Sequence, residues 1–170
     1  MARGNTVMLV NEGKGAPKHD AVIFALRKFT GGMGDEDEDQ PEDNLVWKKY
    51  FLRLYEEVNR VVCTEKANGE AAHLAARHFG SAFVLFVGSK NVHMAVKNRG
   101  DIEKYSESRY QVAKEVANAV FDMLDSLQDD KLVVFLSFLH HLRLTSVFEV
   151  LQPSHQHVVN LSHLSSRFAS

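Results

Sequence analysis

A chain of 170 residues with 45% hydrophobic content is long enough to build one domain around a sizeable core. Its formal net charge of −2 gives no general attraction for a polyanion, which removes nucleic acid as the default partner. Cys63 is the single cysteine, so no intramolecular disulfide can form, and a lone thiol suits a reducing compartment.

Met1 to Val10 has no basic region followed by a long apolar stretch, so no secretory leader is expected. Within it, Thr6 to Val10 is a short apolar segment, either a terminal strand or an early helical turn. Asn11 to His19 reads as a loop, with two glycines and Pro17. Asp20 is a good N-cap for a helix from Ala21 to Phe29, stopped by Gly31, Gly32 and Gly34. Residues 35–44 are strongly acidic and contain Pro41. Self-repulsion and the lack of anything to bury predict a surface loop, and the register of a calcium loop is absent. Leu45 to Val62 follows a helical period through Trp47, Tyr50, Phe51, Leu54, Tyr55, Val58 and Val61.

Asn68-Gly69 marks a turn, and a second helix is expected from Glu70 through Ala75. The apolar run Ala82 to Val87 fits either a buried strand or a helix that is apolar all round. The absence of clear strand partners beside it favours the helix. The run Phe79 to Gly88 is about half the ~20 residues that a membrane-crossing helix needs. Asn98 to Asp101 is another turn. Ser108 and Gln111 form a capping box for a helix running through Val112, Val116, Val120 and Leu127. Gln128 to Lys131 breaks it, Leu132 to Leu142 continues as helix, and a last short helix is expected from Ser146 to Leu151, ended by Pro153. The stretch after Pro153 is too polar to anchor in a membrane.

No catalytic motif is complete. His140 and His141 are adjacent and so point about 100° apart on a helix, unsuited to sharing a metal. His155 and His157 suit at most a weak site in an extended chain, and solvated or capping roles fit them better. Cys63, at the end of an apolar helix, reads as a half-buried structural cysteine. Gly13-Lys14-Gly15 lacks the remaining positions of a phosphate loop. These absences favour a binding module over an enzyme.

Three stretches carry a resemblance. His78-Phe79-Gly80-Ser81-Ala82-Phe83 and the apolar residues after it resemble the first homology motif of the Bcl-2 family of apoptosis regulators. Phe79 stands at the motif's tryptophan, Gly80 at its glycine and Ser81 at its arginine. Leu127 to Phe135 resembles the second homology motif, with Leu132 at its second tryptophan and the glycines missing. Asp20 to Phe29 with the acidic loop stands where the family has its first helix and linker. Divergence of this degree is similar to viral members of the family.

The resemblance implies an all-α fold, a Bcl-2-like helical bundle with a central apolar helix. The bundle would span 20–151, with an N-terminal segment 1–19, the acidic loop at 31–44 and a polar C-terminal tail 152–170. It implies an anti-apoptotic role, in which a hydrophobic groove takes the helical death motif of pro-apoptotic partners, without catalysis, metal or cofactor. The groove residues would be Phe51, Tyr55, Val58, Arg77, Phe79, Gly80, Ser81 and Phe83. Ser81 cannot supply the charged anchor of the family's arginine, so binding would rest on apolar contacts, and a homodimer covering the groove is a further expectation. The implied location is cytoplasmic, reaching mitochondria through partners, with neither nucleic acid binding nor membrane insertion by the chain's own tail. The alternatives are the same fold used against innate-immune signalling, or an unrelated helical nucleic-acid-binding, scaffold or enzyme domain.

Overall fold

The computed structural model describes residues 4–11, 13, 15–25, 52–63, 67–153, 160 and 168–169. The chain divides into two units, one of Met1–Leu26 with Ala67–Ser170 and the other Arg27–Lys66. In the smaller unit the described stretch 52–63 holds a single 3-10 turn, Tyr55–Glu57, and no α-helix. The acidic loop and residues 45–51 of the expected helix Leu45 to Val62 lie outside the described residues.

The larger unit is mixed α/β, which overturns the expected all-α bundle. Its strands are β1 (Thr6–Val10), β2 (Lys18–Ile23), β3 (Glu70–Phe79), β4 (Ala82–Ser89), β5 (His93–Val96), β6 (Ser146–Leu151) and β7 (Phe168–Ala169). Its helices are α1 (Gln111–Asp125) and α2 (Asp129–Leu142). A five-stranded antiparallel sheet runs in the order β5-β4-β3-β6-β7, and β1 and β2 form a separate antiparallel hairpin.

The central sheet is covered on both faces, and this explains its sequence. On one face Ala72, Leu74, Ala76, Leu85, Val87, Met94, Val96 and Val150 pack against Val116, Val120, Leu124, Leu136 and Leu139 of the helices. On the other, Ala75 and Phe86 meet Val22 and Ile23 of the hairpin. Strands buried on both sides lose the apolar-polar alternation that marks a half-buried strand. Six consecutive residues of β3, Ala72 to Arg77, are buried, and the alanines among them are the best helix formers. A helical reading of Glu70 to Ala75 was therefore natural, and tertiary burial overrides it.

The expected helices at Ala21 and at Ser146 to Leu151 also give way. Ala21 to Ile23 ends β2, and Ser146–Leu151 is β6, paired with β3 from Leu74↔Ser146 to Glu70↔Val150. Thr6–Val10 takes the strand option, and Asn68 turns the chain with φ 54°. α1 and α2 lie near two of the expected helices, but α1 ends at Asp125, short of Leu127, and α2 already begins at Asp129, inside the expected break Gln128 to Lys131. The N-terminus of α1 has no side-chain cap, and a short 3-10 turn Ser108–Tyr110 leads into it instead of a capping box. At the end of α2, Arg143 adopts the left-handed conformation at φ 56° and Leu144 N–H bonds to Leu139 O at 3.1 Å, closing the helix as in a Schellman turn.

Candidate functional site

The residues expected to line a groove are divided between the two units. Phe51 lies outside the described residues. Tyr55 begins the 3-10 turn of the smaller unit, and Val58 is exposed in the same stretch. The other five lie on one β-hairpin. Phe79 closes β3 opposite Ala82, and Gly80-Ser81 is the two-residue turn between them. Gly80 has φ +61° while Ser81 does not share the positive φ, the pattern of a II′ turn with glycine first. Phe83 lies on β4, half-buried against the helix-side core, with the His78 ring edge-on at 4.9 Å. Phe79 is 42% exposed at the tip.

Arg77 does structural work. Only 2% exposed, it sits beneath the β1-β2 hairpin. Its Nε donates to Asp20 Oδ2 at 3.1 Å, and its remaining nitrogens donate to Ala76 O and Ala21 O. Asp20 also accepts from Arg143, so one carboxylate joins the hairpin, the sheet and the end of α2. A buried guanidinium needs such partners, and each of the three Arg77 nitrogens donates to an oxygen of β2 or β3.

A second polar cluster joins hairpin and sheet at the other end. His73 and His93 are both register partners of Gly88, which has no side chain to separate them. Across it His73 Nδ1 lies 2.9 Å from His93 Nε2, and His93 Nδ1 lies 2.7 Å from Thr6 Oγ1. With both rings neutral, each contact has one donor and one acceptor, and the chain of bonds can run in either direction. Burial, followed by repulsion from His73, pushes the His93 pKa down to about 4. Burial also lowers that of His73. Sequence inspection did not single out these histidines, because only the strand register brings them together.

The feature that stands apart is the outer side of α2. Eight of its fourteen residues are Leu, Val or Phe, yet only Leu136 and Leu139 are buried. In α1 the apolar residues Val116, Val120, Phe121 and Leu124 all face inward. Val134, Phe138 and Leu142 follow one another at helical spacing and are 68%, 51% and 56% exposed. Asp130, Lys131, Val134, Phe135 and Phe138 line an open cleft of about 370 Å³ on this side. A helix that is apolar all round is normally buried all round, and α2 is covered on one side only among the described residues.

Cys63 is exposed, not half-buried. His140 and His141 hold their rings 5.0 Å apart at 85°, with His141 Nδ1 on Ser137 O. Among the described residues no group of three or more His, Cys, Asp or Glu side chains is placed to hold a metal ion, and no helix is long and apolar enough to cross a membrane. His155 and His157 lie outside the described residues.

Comparison with protein-family models, with curated proteins and with solved structures found no match.

Proposed function

We propose that the chain is a protein-binding module whose docking face is the outer side of α2, and that it takes an apolar helical segment of a protein partner. The observation that carries this is the row Val134, Phe138 and Leu142, more than half exposed on a helix whose opposite side is already in the core. Exposing such a row costs solubility and adds nothing to the fold of the unit itself. A straight ridge with an adjoining cleft offers a partner helix contacts at i, i+4 and i+8, the spacing of helix-on-helix recognition. The death-motif helices of pro-apoptotic proteins are one class of such segment. The Gly80-Ser81 hairpin is not the place for them, because it lacks helical walls.

The test is a panel of fluorescent amphipathic helical peptides, pro-apoptotic ones included, titrated by anisotropy against the protein and against Phe138→Asp. Binding at about micromolar strength or tighter that is lost in Phe138→Asp, with the thermal midpoint retained, supports the reading. Binding that survives the substitution places the site elsewhere on the molecule and overturns it.

A further inference from the structure

The exposed row on α2 is self-complementary, and the charges beside it fix how. With 3.6 residues per turn, Asp130 and His141 lie about three turns apart and within about 20° of each other around the helix axis. They therefore stand on the same rim of the apolar row, at opposite ends. Both are exposed. The midpoint between them falls within about half a residue, under about 1 Å along the axis, of the midpoint between Val134 and Phe138.

A twofold axis through that point, perpendicular to α2, places a second α2 antiparallel to the first and keeps the two rims on the same side. Val134 of each copy then meets Phe138 of the other, and Asp130 of each stands beside His141 of the other. The first turn of α2 is acidic, with Asp129 and Asp130, and its last turn carries His140 and His141. Antiparallel pairing thus sets acid against base at both ends and opposes the two helix dipoles favourably. A parallel arrangement would stack acid on acid and histidine on histidine.

We infer that the partner helix is α2 of a second copy of this chain, packed antiparallel across a twofold axis, with Val134 on Phe138 and Asp130 beside His141 in each half of the interface. This rests on α2 being the docking face, and it names the occupant. The same face would serve another protein's helix only when the second copy leaves.

The experiment is sedimentation velocity of the full chain, from about 1 to about 100 μM, where interfaces of modest area dissociate. The wild type is expected to form dimers, and Phe138→Asp to remain monomeric with an unchanged circular dichroism spectrum. Asp130→Lys, which removes the carboxylate that faces His141, and His141→Glu, which sets a second carboxylate against Asp130, should each weaken the dimer at least tenfold, and the double variant, which restores an opposite-charge pair, should recover most of the loss. Recovery is the decisive reading, because damage to each fold separately cannot be repaired by combining two lesions. A wild type that stays monomeric throughout, a dimer that persists in Phe138→Asp, or a double variant as weak as the worse single one each overturns the inference. A monomeric wild type that still binds helical peptides through Phe138 leaves the docking face standing and removes only the second copy from it. A monomer that binds none of them removes both.

Discussion

Acid should loosen this fold through His93 before the carboxylates begin to protonate. The folded-state pKa of His93 is about 4, against 6.5 for the free side chain. Because the lowered value favours the neutral ring in the folded state, the stabilisation is complete above pH 6.5. It is lost as pH falls from 6.5 towards 4, where the unfolded chain holds a proton that the folded chain does not. For a fully shielded ring, moving from about pH 7.5 to about pH 5 would cost about 2 kcal/mol. One side of His93 is partly open to solvent, and screening there reduces the expected loss to about 1 kcal/mol.

The measurement is urea unfolding followed by circular dichroism at the two pH values, for the wild type and for His93→Gln. Glutamine can still hydrogen-bond to His73 but does not titrate. His140, whose pKa is lowered first by burial and then by its neighbours His141 and His78, titrates in both proteins and cancels in the comparison. The variant should be less stable at about pH 7.5 and should lose less on acidification. Equal losses in the two proteins would show that His93 is not the acid-sensitive group and refute the argument.

Three other substitutions examine the architecture. Arg77→Met removes every hydrogen bond that joins β3 to Asp20 and Ala21, and thermal unfolding should show a loss of about 2–4 kcal/mol. Asp20→Asn should cost less, because Arg77 keeps both carbonyl partners. Leu85→Ala, at a position 4% exposed beneath the helices, should cost about 2–5 kcal/mol by the same measurement, and a loss under about 0.5 kcal/mol would place β4 on the surface. At Gly88 a Cβ would stand 2.1 Å from Val92 O. Gly88→Ala must therefore push the β4-β5 turn away and should lower stability by more than about 1 kcal/mol, with loss of amide-exchange protection centred on β5.

The two helices could be read from the sequence because each carries a helical pattern long enough to outweigh its surroundings. Val112 to Leu127 shows an apolar stripe, and Leu132 to Leu142 follows a clear break. The sheet could not be read in the same way, since burial on both faces removed the alternation from Ala72 to Arg77 and from Leu85 to Ser89. A hairpin signal was nonetheless present. Gly80-Ser81 between two apolar runs is a two-residue turn in glycine-first form, and it argues for two strands where a helix was expected. Ser-Val-Phe-Glu-Val-Leu likewise carries β-branched residues, and it sets Phe148 and Val150, two apart, against the helix-side core. The docking face was visible as composition, since Leu132 to Leu142 is apolar on every side. What the sequence could not show is which side the sheet would leave uncovered. Nor could it show the His73–His93 contact, which depends on two strand registers meeting at Gly88.

The order of strands in the sheet also sets a timetable. β3 and β4 are joined by two residues and can pair as soon as both exist, whereas the other flank of β3 waits for β6. Leu74 pairs with Ser146, about 70 residues further along the chain, and closing a loop of that length is slow relative to forming a hairpin. At ~5–20 residues per second, a ribosome would need several seconds to deliver β6 after β3 has emerged. Throughout that interval the main-chain groups along one side of an alanine-rich strand stand open, able to pair with any extended segment nearby. The helices α1 and α2 are made within this interval. By docking on β4 and β3 they hold the nascent sheet until its last central strand arrives. Truncation before Ser146 should therefore yield a chain that aggregates, not a smaller folded domain.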